Sequence, residues 1–345
     1  MEAFNLVKKR EIPVVNVIRG LTSLIIVLYH FCNYQDPQGA LFANDSFLVK
    51  STVNFFDAVN VFFFISGFIL PWALFFSNYK LSDYPVYFLK RILRIHPPYF
   101  LSVIISVLIA VFFQLKNGDP VFINIKEIVA HFFYANPFLH IKWLNIIFWT
   151  LAVEIQFYLF VGFIFPLLNS KVKLVCYLPI VGFLLMGYFF QSEDYFTGYS
   201  IPFSAGMLFF LYYKTASKFK LVHLFLCIAL VVFQLLNIPN SLTKTVFLIL
   251  TIVMLLINWP INFWFSWLGE TSYSLYLTHG FFGSWFIYYL KKYLVDGFFW
   301  QILILIGAII ISLIGARIYY FIIENPSKKW AAKIKYKRQA AEVSL

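Results

Sequence analysis

VVNVIRGLTSLIIVLYHFCNY, residues 14–34, is apolar enough to cross a membrane and yet carries Arg19 and His30. Eleven residues at about 100° each make close to three helical turns, so both side chains fall on one face, about 16 Å apart along the axis. Ser23 and Ile26 complete that stripe. An ionised group at the bilayer centre costs about 2.5–3.5 kcal/mol on insertion scales, and such groups face a bundle interior or a wet cavity. The stretch therefore predicts a membrane helix with a functional face.

The rest of the chain agrees with that start. Of 345 residues, 61% are hydrophobic and only 12% charged, about half the charge of a soluble domain. Ten runs approach the roughly 20 residues needed to span about 30 Å of hydrocarbon: 14–34, 55–77, 97–115, 146–168, 174–190, 199–213, 220–237, 242–258, 270–290 and 299–323. The expected fold is all-α, a polytopic bundle of about ten transmembrane helices with both termini cytoplasmic. It would form one membrane domain over 1–326, followed by a basic cytoplasmic tail over 327–345 that contains KKWAAKIKYKR. MEAFNLVKKREIP precedes the first span without a small-residue cleavage site, so that span is expected to stay as an anchor.

The net charge of +12 invites a nucleic-acid reading, but the positions of the charges exclude it. On the ten-span topology, 18 Lys and Arg fall on the inside and 7 in outer loops, with Arg19 and Arg317 within spans. That is the positive-inside rule at work, with Lys291 and Lys292 as the exception. Cys32, Cys176 and Cys227 fall in or at the edge of spans without CxxC spacing, and His131 and His140 lack an acidic partner pattern. Neither a disulfide nor a metal site is expected. The amphipathic outer stretch 122–140, FINIKEIVAHFFYANPFLH, is read as an interfacial helix or a re-entrant roof.

Four further segments place polar groups where hydrocarbon resists them. YFLKRILRIHPPYF (87–100) sets Arg91 and Arg94 on one helical face at the inner boundary, ahead of His96 and the Pro97-Pro98 pair. Two guanidiniums so placed suit a phosphorylated ligand, although orientation alone also demands basic residues there. FWTLAVEIQFYLF (148–160) buries Glu154, which could orient a histidine, pair with Arg19, or tie two spans together. WLGETSYSLYLTHGFF (267–282) carries Glu270, a run of hydroxyls including Tyr273, and His279, which reads as either a functional group or a packing residue. DAVNVFFFISGFIL (57–70) adds Asn60 and Ser66 as substrate or structural candidates, with Gly67 allowing close helix packing. Arg317 and Glu324, seven residues apart, read as a structural ion pair on the last span.

Taken as an ordered set, these segments resemble the acyltransferase-3 family of integral-membrane acyltransferases over nearly the whole chain. The family's first-span arginine and histidine match Arg19 and His30, and its FFxISGF element matches FFFISGF at 62–68. Its RxxR with a proline pair matches RILR with Pro97 and Pro98. Its tryptophan–glutamate element matches WTLAVEIQFY, its SYSLYLxH element matches SYSLYLTH, and its closing E-x-P matches Glu324 to Pro326. The resemblance implies transfer of an acyl group, usually acetyl from acetyl-CoA, to a hydroxyl or amine of a glycan or other acceptor across the bacterial cytoplasmic (inner) membrane. Acetyl-CoA would be a donor co-substrate, with no permanently bound cofactor. The partners expected are acyl-CoA, a carbohydrate or lipid-linked glycan, and membrane lipids. On that reading His30 is the catalytic base, Glu154 a second catalytic candidate, and Arg19, Arg91 and Arg94 the donor-binding residues. The rival reading is a transporter or flippase for a lipid-linked glycan, since intramembrane charges also mark transport paths.

Overall fold

A computed structural model describes residues 12–33, 35–36, 39–121, 123–172, 174–257, 263–293 and 297–336. Among them nearly all regular structure is helical, with a two-residue antiparallel ladder between Gln35–Asp36 and Gly39–Ala40. The α-helices begin with α1 (Pro13–Asn33), α2 (Phe47–Thr52), α3 (Val59–Phe76), α4 (Tyr84–Asn117), α5 (Ile125–Phe132) and α6 (Asn136–Leu139). There follow α7 (Phe148–Leu168), α8 (Leu178–Phe189), α9 (Ser200–Lys214), α10 (Lys220–Asn237) and α11 (Leu242–Leu256). The last are α12 (Phe263–His279), α13 (Trp285–Lys291), α14 (Phe298–Tyr319) and α15 (Asn325–Lys333). Six helical stretches among the described residues are long and apolar enough to cross a membrane, and two shorter ones, Val175–Phe189 and Leu242–Leu256, are also apolar. Lys8, Lys9, Arg10 and the end of the tail from 337 onward lie outside the described residues.

The chain forms two compact units, residues 1–68 with 205–322 and residues 69–204 with 323–345. In the first, α1 and α12 run parallel with their backbones in contact. A Cβ on Gly20 would stand 2.9 Å from Gly269 N, and one on Gly269 would collide with the Asn16 backbone. Ser23 Oγ donates to the Ser272 carbonyl oxygen at 3.2 Å. Gly20 to Gly269 and Ser23 to Ser272 share one sequence offset, 249 residues, so the register is fixed at two successive levels. Small residues are what allow this approach in a bilayer, where hydrocarbon offers no hydrophobic drive to associate. The adjoining core combines Val27, Phe31 and Leu275 with Leu305, Ala308 and Ala316 of α14.

A π-turn, Gly280–Ser284, joins α12 to α13. Its extra residue per turn aims side chains that a straight α-helix would misplace. Gly283 lies against Phe31 and Ser312, while the rings of Phe282 and Phe286 occupy the space left by Gly315 and Gly307 of α14. Elsewhere in the unit, Gly206 of α9 meets Gly67 and the Phe64 carbonyl of α3, the close packing expected at Gly67.

In the second unit, three tyrosine hydroxyls clip the start of α4 to α7. Tyr79, Tyr84 and Tyr87 donate to the carbonyl oxygens of Gly162, Leu159 and Tyr158 at 2.9, 3.3 and 3.1 Å. Gly162 makes room for two of the rings, since a Cβ there would lie 2.7 Å from Tyr84 and 2.8 Å from Tyr87. The helix α4 starts earlier than the run 97–115 expected of this span: it is unbroken for 34 residues through Pro97 and Pro98, and Arg91 and Arg94 lie on it. At 1.5 Å per residue it is about 51 Å long, more than the roughly 30 Å of hydrocarbon, which leaves its basic first third beyond the apolar run. The two prolines supply no N–H, so they give nothing to the helix ladder at that level.

The final helix corrects a second expectation. Arg317 does not pair with Glu324: its Nη1 lies 3.5 Å from Glu270 Oε2, and Glu324 binds Lys328 Nζ at 2.6 Å. The cause is another π-turn, Tyr320–Glu324. Its wider pitch turns Glu324 off the face of Arg317 and leaves it one α-helical turn before Lys328. α15 then lies against α4, where Lys90 Nζ donates to the Ile334 carbonyl oxygen at 2.8 Å and sits 5.1 Å from the Tyr336 ring centre.

Candidate functional site

The residues singled out from the sequence gather in two places, one in each unit. In the first, His30 and His279 are neighbours, their ring centroids 5.1 Å apart and tilted by 35°. The α1–α12 register carries them there. Ser23 to His30 and Ser272 to His279 are each seven residues, two turns, so the pair repeats the 249-residue offset about 10 Å above the serine contact. His30 is half-buried and His279 buried. The Nδ1 of His279 lies 2.8 Å from the Tyr276 carbonyl oxygen and 3.1 Å from that of Leu275. Beside His30 stand Tyr29, at 5.0 Å between ring centroids, and beyond it Phe56.

Asn60 is buried and donates to the Asp57 carbonyl oxygen at 2.9 Å, and the Asp57 carboxylate meets Lys244 at 3.9 Å. Ser66 is buried in α3 and Tyr273 half-buried in α12. Arg19 is half-buried, three turns below His30, and makes no ion pair among the described residues. The first unit thus brings His30 and His279 together and leaves Arg19 apart from both.

The second unit holds Glu154, Arg91 and Arg94. Glu154 Oε1 accepts from the Tyr158 hydroxyl at 2.5 Å, one turn along α7. Arg91 lies 5.8 Å from the ring centres of both Tyr158 and Tyr87, placing a cation over two aromatic faces. The charges of Arg91, Arg94 and Glu154 all act on the Tyr158 phenol. Behind them Tyr134 stacks on Tyr99 at 4.5 Å and shares a hydrogen bond with His96 Nδ1 at 3.2 Å. Burial first, then the nearby Tyr99 and Glu154, pushes the Tyr134 phenol well above its ordinary pKa. The cluster is therefore a half-buried carboxyl group and two guanidiniums among phenol rings.

Sequence reasoning gave Tyr158 and Tyr134 no role. Tyr158 carried a usable signal, since a hydroxyl four residues after a buried carboxylate shares its helix face. Tyr134 carried none, because a left-handed residue at φ 52° between two short helices places it.

His131 resolves as a staple. Its Nδ1 donates to the Glu127 carbonyl at 2.7 Å and its Nε2 accepts from Leu144 N–H at 3.0 Å, which leaves no nitrogen for a metal. Burial lowers its pKa, in keeping with a neutral ring. Among the described residues, no group of three His, Cys, Asp or Glu could hold a metal ion.

Comparison with known proteins gives a consistent result. The sequence signature of the acyltransferase-3 family, an acyltransferase domain, matches residues 12–317. A protein of Acidianus two-tailed virus named "Putative acetyltransferase ORF330" is 25% identical over 298 residues, covering 79% of this chain and 83% of the viral protein. No solved structure matches the chain.

Proposed function

Because the chain belongs to the acyltransferase-3 family of membrane acyltransferases, we propose that it moves an acetyl group from cytoplasmic acetyl-CoA to a hydroxyl of a cell-surface or lipid-linked glycan. The chain would cross the bacterial inner membrane about ten times with both termini cytoplasmic. The parallel run of α1 and α12 supports an even number of crossings between their starts. The observation that carries the assignment is His30: an imidazole within an apolar span, half-buried, on the helix face that meets α12.

A neutral imidazole is the side chain best matched to take a hydroxyl proton near neutral pH. In the proposed step the acceptor hydroxyl gives its proton to His30 and its oxygen bonds the thioester carbonyl carbon. The carbon–sulfur bond breaks, and the CoA thiolate recovers the proton from His30. Tyr29 and Phe56 offer rings on which a sugar can stack. Arg91 and Arg94 grip the CoA phosphates, Glu154 holds the Tyr158 hydroxyl beside them, and Arg19 lines the donor path.

The test is acetyl transfer from acetyl-CoA by the purified protein in lipid nanodiscs, and acetylation of the native surface glycan in cells. His30→Ala should lower turnover by about 10²–10⁴-fold, the usual value of a general base, with detergent elution and helical content unchanged. Full glycan acetylation in a His30→Ala strain would overturn the assignment. A transporter would show no acetyl-CoA turnover in either protein.

A further inference from the structure

His279 is 2% exposed and stands one helix away from the proposed base. Its Nδ1 lies within hydrogen-bond distance of two carbonyl oxygens of its own helix, those of Tyr276 and Leu275. A carbonyl oxygen only accepts, so Nδ1 must carry the proton and Nε2, on the far side of the ring, keeps its lone pair. The rings around it are His30 at 5.1 Å, Phe31 at 6.1 Å and Tyr276 at 6.3 Å. At a centroid separation of 5.1 Å, two ring nitrogens turned toward each other come to about 3 Å, the length of an N–H···N hydrogen bond. The ring planes are tilted by 35°, and in the proposed catalytic state a side-chain rotation of His30 brings its N–H to His279. Catalytic hydrogen bonds commonly tighten in this way only when substrate is bound.

We propose that His279 is a positioning residue for His30: its Nε2 accepts the N–H of His30, so the other nitrogen of His30 meets the acceptor hydroxyl without a proton. The same contact steadies the imidazolium that forms when that proton arrives. The role rests on the reading of His30 as the base. It also explains why the two rings sit at matching heights. The contacts of Gly20 with Gly269 and Ser23 with Ser272 set the register of the two helices, and the Gly283 contact with Phe31 closes it just above. A packing histidine would need none of this precision relative to His30.

Three variants at one position separate the two nitrogens of His279. His279→Leu removes both and should lower kcat by about 10²-fold while the KM for acetyl-CoA stays within about twofold. His279→Gln carries a carbonyl oxygen at the level of Nε2 and should recover about tenfold of that loss. His279→Asn places its amide at the level of Nδ1, one bond short of the position of Nε2, and should stay as slow as the leucine variant. Equal activity of the Asn and Gln variants, or wild-type kcat in the leucine variant, overturns the proposal while leaving His30 as the base. Activity retained in His30→Ala would instead remove the reading on which it rests. Should the variants fail to insert, ¹⁵N-histidine NMR of the wild-type protein asks the same question, with His279 recognised as the ring whose resonances shift when its neighbour is replaced in a His30→Ala protein. Protonated Nδ1 with bare Nε2 supports the role, and protonated Nε2 overturns it.

Discussion

His30 and His279 sit where two helix backbones touch, whereas Glu154, Arg91 and Arg94 sit where tyrosine rings fill the space between two helices. The first region is defined by the absence of side chains at Gly20 and Gly269, which lets a short serine hydroxyl bridge α1 and α12. Its polar groups are few. The second is defined by large amphipathic side chains, with phenols spending their hydroxyls on backbone carbonyls and offering their faces to cations. Its charges are several and of both signs. A backbone contact fixes position to a fraction of an ångström and suits proton transfer, while a cushion of rings around guanidiniums suits holding a large anion.

That contrast can be tested from its widest consequence downward. Substituting both Arg91 and Arg94 by alanine should raise the KM for acetyl-CoA by about 10²-fold or more, since each charge-assisted hydrogen bond to phosphate is worth about 1.5–3 kcal/mol. The kcat extrapolated to saturating donor should remain near wild type, the reverse of the His30→Ala pattern. If kcat falls and KM does not, the two regions are not divided between binding and chemistry.

Gly269→Val forces a branched side chain into the Asn16 backbone and should cost about 1–3 kcal/mol as an overpacked contact. It would be read as a lowered melting temperature in detergent, together with loss of turnover. A valine variant of wild-type stability would show that the helices tolerate separation and that their register is not fixed by small residues. Least is expected of Arg317→Gln. Its partner Glu270 is exposed at the helix surface, and such pairs contribute about 0–1 kcal/mol. A larger loss would mean that the rings of Trp267, Tyr320 and Phe321 around this guanidinium matter more than the ion pair.

Much of the histidine region could be read from residues alone, because helical period is enough to put Arg19, Ser23 and His30 on one stripe. The meeting with His279 was hidden, since nothing local says which span α1 will pair with. A trace existed in the matched heptads Ser23–His30 and Ser272–His279, but it gains meaning only once the partner is known. The arginine region was legible in composition and not in form. The apolar run begins at Pro97, yet α4 starts at Tyr84 and continues through both prolines, because neighbouring structure in a bundle can compensate for the two missing donors. Arg317 and Glu324 share a face only if the helix keeps α-helical pitch, and a π-turn is not encoded by any spacing rule applied to those residues.

The π-turn at Gly280–Ser284 also has a genetic meaning. It is one residue more than the helix needs, so loss of a single codon within it would restore ordinary pitch and rotate everything downstream by about 100°. The ring of Phe286 would then leave the recess at Gly307, and α13 would show α14 a different face while His279, upstream, stayed where it is. A family alignment that gains or loses one residue here would therefore mark lineages that have rebuilt this helix hairpin without touching the histidine pair.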